Sequence, residues 1–349
     1  MKLLFTLLLL SAISFQSQAK IWRINNIAGV NANFTTVYDA VNSASVQHGD
    51  TLYLEPSPAD YNTGSTDLTK RLTFMGPGYL LDPLNGTTPG NTGLQVSTNE
   101  SRMQFYRLTA ASAGSKFIGV TIAGAIYLNN TGNITFEKVR FLTSLYFEDG
   151  TVNGITIRKC FFDNGSNINN APPVVITNFT CENSIFAFGS YTILSQLSGS
   201  ANLFRNNSLG ISGNTIDLEN CYIANNIFGS IGAYVFTNST VKNNLFQTNP
   251  TLPGTATGNL VDQDMTSVYR GGTGSFDSRF QLQSPSPAAG KGLTVGSVVN
   301  PDCGAFGGTD PYVLSGIPNI PAIYTLTVPS SIPSGTATMN VTFSSKNHN

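Results

Sequence analysis

The amino-acid sequence predicts an all-β solenoid, and three observations lead to that prediction. First, similar six-residue segments recur every 18 to 24 residues. They read FIGVTI, FEKVRF, IRKCFF, CENSIF, FRNNSL, IANNIF and VKNNLF, and begin at Phe117, Phe136, Ile157, Cys181, Phe204, Ile223 and Val241. Second, their first and sixth positions carry no charge, so both are expected to face a core. Third, β-branched and aromatic residues fill the segments, while Gly and Asn interrupt them.

The period separates this solenoid from other repeat architectures. Helical repeats need about 33 to 47 residues per unit, which is longer than the spacing seen here. A leucine-rich repeat has a similar period, but its fixed Leu positions are missing. The sequence therefore favours a parallel β-helix, whose strands stack about 4.8 Å apart along the axis.

The third position of the repeat indicates a sharp corner in each turn. Its last four members are Asn183, Asn206, Asn225 and Asn243. Asn tolerates the left-handed backbone that a corner needs, and its amide can bond to the Asn above and below. We therefore expect these four residues to stack as a ladder.

With its NNxF-like corners and drifting loop lengths, this repeat resembles the right-handed parallel β-helix superfamily typified by pectate lyases. The resemblance covers most of the chain after its N-terminal segment. It implies right-handed coiling, which agrees with the chirality of parallel crossovers. Because the same coil carries lyases, hydrolases, esterases, phage tailspikes and adhesins, the resemblance implies a fold but no particular reaction.

Residues 1–19 have the pattern of a secretory signal peptide. Lys2 precedes an apolar run from Leu3 to Phe15, and Ser17-Gln18-Ala19 forms a small-x-small cleavage site. The run is too short for a membrane span. The mature chain is therefore expected to be secreted or held at the cell surface, without a membrane span.

The two ends of the coil are predicted to differ. Near the N-terminus, Phe34, Val37, Val41 and Ala44 share one helical face that Thr35 or Thr36 can cap, which predicts an N-terminal capping helix before the strand at Thr51. Phe280–Gly292 and Asp302–Tyr312 resemble the closing turn of bacterial secreted β-helix proteins. Residues 20–314 would form the β-helix domain, and residues 315–349 a short C-terminal β tail, as edge strands or the stub of a β module.

Composition excludes several classes of function. A net charge of −1 gives no electrostatic basis for nucleic-acid binding. The histidines are His48, in a predicted turn, and His348, so a Ser-His-Asp or Cys-His site has no suitable base. Cys160, Cys181, Cys221 and Cys303 have no metal-site spacing and are interpreted as small buried residues. A disulfide from Cys160 to Cys181 or Cys221 remains an alternative.

Charge is densest from Glu137 to Asp163, and two interpretations are open. The second repeat position reads Glu137, Arg158, Glu182, Arg205, Ala224 and Lys242. Opposite signs on adjacent turns favour a ladder of ion pairs that sets strand register. The resemblance implies the alternative of a polysaccharide lyase, in which Glu148 and Asp149 would hold Ca²⁺ and Arg158 or Lys159 would be the base.

Exposed aromatic residues would indicate sugar binding. Tyr127 and Tyr146 occupy comparable places on adjacent turns, where they form either an exposed platform or, as the sequence favours, a stack within the core. Our first hypothesis is a binding or structural protein, directed at polysaccharide or another cell-envelope component, that needs no cofactor. The alternatives are the Ca²⁺-dependent lyase and a module of an envelope assembly whose tail docks a partner.

Overall fold

A computed structural model shows a parallel β-solenoid of about nine turns with very little helix. It describes residues 19–64, 67–87, 89–104, 106–163, 165–171, 173–187, 193, 197–210 and 212–347. The signal-peptide prediction therefore concerns residues that, except for Ala19, lie outside the described part of the chain, as does His348.

Two long parallel sheets run the length of the coil. Sheet A has ten strands: β1 (Ile21–Ile24), β2 (Thr51–Leu54), β4 (Thr73–Met75), β7 (Lys116–Ile118), β10 (Thr135–Glu137), β14 (Thr156–Arg158), β18 (Thr180–Glu182), β21 (Asn202–Arg205), β24 (Cys221–Ala224) and β27 (Thr240–Lys242). Sheet B has eight: β5 (Arg102–Met103), β8 (Thr121–Ile122), β11 (Arg140–Phe141), β15 (Phe161–Phe162), β19 (Ile185–Phe186), β22 (Ser208–Leu209), β25 (Ile227–Phe228) and β28 (Leu245–Phe246).

The remaining strands complete the turns. Sheet C comprises β3 (Asp67–Leu68), β6 (Tyr106–Leu108), β9 (Ile126–Asn129), β12 (Leu145–Asp149) and β16 (Ile168–Asn170). Single bridges through Ile193 link it to the parallel pair β23 (Ser212–Asp217) and β26 (Ile231–Val235). Sheet D comprises β13 (Thr151–Asn153), β17 (Val175–Thr177) and β20 (Leu197–Ser198), and an antiparallel hairpin joins β29 (Ala322–Thr327) to β30 (Thr342–Lys346).

The predicted core positions are confirmed. Every residue at the first and sixth positions of the seven segments is at most 1% exposed. Adjacent turns place these residues in register, as Phe117 with Phe136 and Phe141 with Phe162. Their rings stack, with centroids 5.1 and 4.5 Å apart. The interior is therefore filled by ladders of like side chains, which a repeat with a strict register produces.

The predicted corner between sheets A and B is also confirmed. All seven residues at the third position have a left-handed backbone, with φ between 48° and 63°. They are Gly119, Lys138, Lys159, Asn183, Asn206, Asn225 and Asn243. Because Gly and Asn reach this conformation at little cost, the sequence marks the corner most clearly where they occur.

The four corner asparagines each follow a residue that is paired with the next turn, so they stack as predicted. The prediction that their amides bond to one another is wrong. Their side chains point outward, and the amides of Asn183, Asn225 and Asn243 donate to backbone carbonyls of residues 291–307. The bonded ladder lies one residue further along each turn and inside the coil. There, amide-to-amide bonds of 2.9 to 3.1 Å join four asparagines in succession: Asn207, Asn226, Asn244 and Asn259.

Residues 288–321 run back along the outside of this corner, and we call them the C-terminal strap. The strap passes Asn225 at Leu293 and Gly304, then Asn183 at Ala305, and reaches Lys138 at Asn319. It therefore travels from the last turns towards the first. Two segments were expected to form a closing turn, Phe280–Gly292 and Asp302–Tyr312. Instead, they pack on the outer face of sheet B and bury the apolar residues at the fifth repeat position.

The N-terminal helix begins directly after Thr36, one of the two predicted capping residues, but it is shorter than predicted, because Phe34 and Ala44 lie outside it. Helix α1 spans Val37–Asn42, and the side chain of Thr36 accepts a bond from the Asp39 amide at its N-terminus. Val37, Ala40 and Val41 are buried in the main core, and Phe34 packs against that core beside Trp22. A second short helix, α2, spans Met265–Val268, and 3₁₀ turns occupy Ala110–Ser112, Ser278–Phe280 and Leu314–Gly316.

All four cysteines are buried, as predicted, and each is a free thiol. Burial raises the pKa of Cys160 and of Cys303 to about 12. A thiol with so high a pKa is a weak nucleophile and a weak metal ligand at neutral pH, so these residues behave as small apolar side chains.

The β29–β30 hairpin differs from the coil in its exposure. Leu326 and Phe343 face each other across it, and they are 45% and 61% exposed. In contrast, Ser315–Ile317 are buried beside Tyr79, so the exposed part of the tail begins near Ala322. Within the described residues, no helix is long and apolar enough to cross a membrane.

Candidate functional site

The outer face of sheet C carries a pair of stacked tyrosines. The rings of Tyr127, on β9, and Tyr146, on β12, are nearly parallel, at 11°, and their centroids are 4.9 Å apart. Both side chains are half-buried, whereas Ile126 and Leu128 beside Tyr127 are in the core. The two rings therefore form a short aromatic platform on the surface.

The platform corrects the expectation that these rings stack within the core. Side chains alternate between the two faces of a strand, and Tyr127 and Tyr146 each lie between two buried aliphatic or aromatic residues. They pair directly across adjacent turns, which is why their rings meet. The sequence shows apolar residues on both sides of each tyrosine. It does not show where the strands begin and end, and those limits decide which residues face outward.

An ion pair lies beside the platform. Nε and Nη2 of Arg107 donate to the two carboxylate oxygens of Glu148, at 3.0 and 3.3 Å. The Asn129 amide reaches the same carboxylate at 3.4 Å. The register shifts between Phe147 and Asp149, and this bulge at Glu148 lets its side chain reach Arg107 across the intervening strand β9. The pair fixes two polar groups next to the rings.

Asp149, the second proposed Ca²⁺ ligand, is exposed at the end of β12. Its Oδ1 accepts a bond of 2.7 Å from the amide of Gly150, which has a left-handed backbone. Among the described residues, no group of three or more His, Cys, Asp or Glu is placed to hold a metal ion.

The two proposed bases lie elsewhere on the coil. Arg158 is on sheet A, where its Nη2 donates to Glu137 at 2.7 Å. Lys159 is at the corner, where its buried ammonium pairs with Asp310 of the C-terminal strap. The four candidate residues thus take part in separate contacts: Glu148 with Arg107, Asp149 with Gly150, Arg158 with Glu137 and Lys159 with Asp310.

The second repeat position has the register that the charge pattern predicted. Glu137 pairs with Arg158, and Glu182 pairs with Arg205 at 2.8 Å, each on adjacent strands. These four side chains are partly exposed, so each pair contributes only a few tenths of a kcal/mol up to about 1 kcal/mol. Their role is consistent with setting the register of sheet A.

The charge-dense stretch contained Arg140 and Asp163, but sequence reasoning did not predict that they form a buried ionic cluster with Glu100 on sheet B. Arg140 is 4% exposed and bonds to Glu100 at 2.9 Å and to Asp163 at 2.5 and 3.1 Å. Burial opposes the charge on Arg140, but the two carboxylates outweigh it and raise its pKa. The cluster borders a polar cavity of about 230 Å³. Its members are 23 and 40 residues apart in the chain, so no local pattern pointed to it.

The chain matches no protein-family model, and no curated protein is significantly similar to it. The site must therefore be interpreted from its own chemistry.

Proposed function

We propose that this chain is a secreted or cell-surface protein that binds polysaccharide through the outer face of sheet C. The Tyr127–Tyr146 platform carries the proposal, because half-buried tyrosine rings at a surface offer flat apolar area and hydroxyl groups together. The proposal includes a right-handed coil, as parallel crossovers favour, and α1 as the cap of the first turn.

The row of side chains across sheet C suggests where a sugar would lie. In the strand register, Tyr146 is followed by Asn169, which has no ring to cover the far face of Tyr146. A sugar ring would stack on that face. Asp149 and Asn169 would then exchange hydrogen bonds with its hydroxyl groups. Arg107 lies on the other side of the platform, beside Tyr127.

Replacing one ring tests the proposal. We expect Tyr146→Ala to weaken binding to the preferred polysaccharide about tenfold, because it removes a stacking surface worth about 1.4 kcal/mol or more. Affinity would be measured by calorimetry on a polysaccharide selected from a glycan array. Tyr222→Ala is the matched control, since Tyr222 is a half-buried tyrosine on sheet A. Equal affinities of both variants, or no ligand on the array, would refute the proposal.

The lyase alternative predicts a different result in the same samples. Incubation with uronate polymers and Ca²⁺ would then generate unsaturated products that absorb in the ultraviolet. Glu148, Arg158 and Lys159 would have to leave their present ion partners to act, so we expect no such absorbance.

The exposed hairpin supports a second role, as a module of an envelope assembly. Tyr324, Leu326, Val328, Val341 and Phe343 are all at least 44% exposed. A two-stranded hairpin is only marginally stable alone, so contact with a partner would stabilise it. Deleting residues 322–349 leaves the buried Ser315–Ile317 in place and should release the protein from the cell surface. Full retention of the truncated protein would refute this role.

A further inference from the structure

A cavity of about 560 Å³ opens beside the last turns of the coil, far from the tyrosine platform in the chain. Leu209, Gly210, Gly229 and Gln247, which follow or end three successive strands of sheet B, form its floor. The segment that contains α2 forms the opposite wall. The cavity therefore lies between the coil and a separate stretch of chain, and it is open to solvent on one side.

Two packed aromatic side chains form the apolar part of this wall. Tyr269 and Phe280 meet edge to face, with ring centroids 5.2 Å apart at 70°. Tyr269 is also held by backbone pairing with Leu282, and Phe280 is 3% exposed within a buried cluster. A ligand that fills the cavity would meet fixed aromatic surface, which suits a ring-sized apolar body.

Two arginines line the same cavity without carboxylate partners. Most arginines of this chain are in ion pairs: Arg23, Arg102, Arg107, Arg140, Arg158 and Arg205. Among the described residues, Arg270 and Arg279 have no carboxylate within ion-pair distance. Gln281 accepts from Nη1 of Arg270 at 3.1 Å, and the carbonyl of Gly274 accepts from Nε of Arg279 at 3.0 Å. The Arg279 guanidinium also lies over the Phe276 ring, 4.5 Å from its centroid. Both guanidinium groups are thus positioned by neutral groups.

The single carboxylate at the cavity, that of Asp264, offsets only one of the two positive charges. Both oxygens of Asp264 are bonded to Thr266, one to its backbone amide at 2.9 Å and the other to its hydroxyl at 2.7 Å. The cavity therefore has a net positive rim above an apolar wall. Guanidinium groups bind carboxylates and phosphates through charge-assisted hydrogen bonds, which are the stronger class of hydrogen bond.

We propose that this cavity binds a small organic oxyanion with a ring-sized apolar body. The ring packs against Tyr269, which Phe280 supports edge to face, and the anionic group is bound by Arg270 and Arg279. This site is independent of the polysaccharide face, since it shares no residue with it.

The test uses the full chain and four probes that separate charge from apolar body. Benzoate and phenyl phosphate have both features, benzyl alcohol has the ring alone, and inorganic phosphate has the charge alone. We expect the two aromatic anions to bind at least about tenfold more tightly than the other two, because each of the two interactions contributes. Benzoate and phenyl phosphate also distinguish a carboxylate ligand from a phosphate ligand.

Variants then assign the binding to the cavity. Arg270→Gln and Arg279→Gln should each weaken binding of the better aromatic anion about tenfold, and Arg279→Lys should recover part of it. Arg71→Gln is the matched control, because Arg71 is an exposed arginine on another part of the coil. The proposal is overturned if benzyl alcohol binds as well as benzoate, or if the cavity variants bind like Arg71→Gln.

Discussion

The corner between sheets A and B is built in two different ways along the coil. In the turns of β7, β10 and β14, the inner position beside the corner is Val120, Val139 or Cys160. In the turns of β18, β21, β24 and β27, it is a polar residue, mostly asparagine, and the amides bond from turn to turn. The backbone at the corner is left-handed in both regions. One backbone requirement is thus compatible with an apolar or an amide interior.

The two regions also differ at the corner residue itself, which is lysine in the turns of β10 and β14 and asparagine in the later turns. The part of the strap that covers each region explains this difference. Near the asparagines, the C-terminal strap presents backbone carbonyl groups, and the asparagine amides donate hydrogen bonds to them. Near the first turns it presents Asp310 and Asn319, which Lys159 and Lys138 contact. Burial lowers the pKa of Lys138, and the nearby Lys159 lowers it further. Both lysines thus have a left-handed backbone and a partly desolvated ammonium group, and their contacts with the strap offset these costs.

The largest expected effect on stability comes from replacing an asparagine of the inner ladder by the valine found at the same position in the earlier turns. In Asn226→Val, the amide and side chain of Asn207 lose their acceptor, and Phe204 and Asn244 lose a donor. Because these groups are buried, we expect the free energy of unfolding to fall by about 3 kcal/mol in urea denaturation. Asn99→Val, at an exposed asparagine, is the control. A similar small loss in both variants would mean that the ladder contributes nothing specific.

Distorting the strap where it passes the asparagine region should have the next largest effect. A methyl group at Gly307 would lie 1.9 Å from the carbonyl oxygen of Asp302. We expect Gly307→Ala to destabilise the protein by about 2 kcal/mol, because backbone has to move. Gly254→Ala, where the added carbon meets nothing within 4 Å, should change stability by less than about 0.5 kcal/mol. If thermal denaturation ranks the two variants equally, the strap is not closely packed there.

A smaller effect isolates backbone strain in the lysine region. Lys159→Ala and Lys159→Asn both remove the contact with Asp310, but only asparagine is suited to a φ of 53°. We expect Lys159→Asn to be about 1 kcal/mol more stable than Lys159→Ala in urea denaturation. If Lys159→Ala were the more stable variant, the left-handed backbone at Lys159 would not be a source of strain.

The smallest expected effect concerns two carboxylates that lie outside sheets A and B, Glu148 on β12 and Asp217 on β23. Glu148 has Arg107, whereas Asp217 on β23 lies near Glu219, and burial together with that neighbour raises the pKa of Asp217 to about 6. The folded state thus holds this proton more tightly than the unfolded state. The resulting stability is present below about pH 4 and is lost as the pH rises through about 6.

We therefore expect Asp217→Asn to raise the melting temperature by a degree or two at pH 7.5 and to leave it unchanged at pH 4. Thermal denaturation across that range measures the difference. A variant that is less stable than the parent at pH 7.5 would show that the ionised Asp217 is stabilised by a contact.

Much of the coil was predictable because its signals are local and repeated. The first and sixth repeat positions, the corner and the Glu137–Arg158 pair each follow from residues that recur at one spacing, so stacking brings like positions together. The tyrosine platform was only half predictable. Its two rings were correctly placed on adjacent turns, but whether they faced the core depended on strand limits that a single sequence does not define.

The sequence by itself thus determined a parallel β-solenoid, its core positions and its left-handed corner, because a regular backbone turns a period into a register. Only the tertiary structure decided what covers that corner and sheet B. The partners are distant in the chain: Asn183 meets Ala305, and Lys138 meets Asn319. Arg140 likewise finds Glu100 and Asp163 through folding alone. Such contacts depend on where a non-repeating segment runs, and no periodic pattern encodes that path.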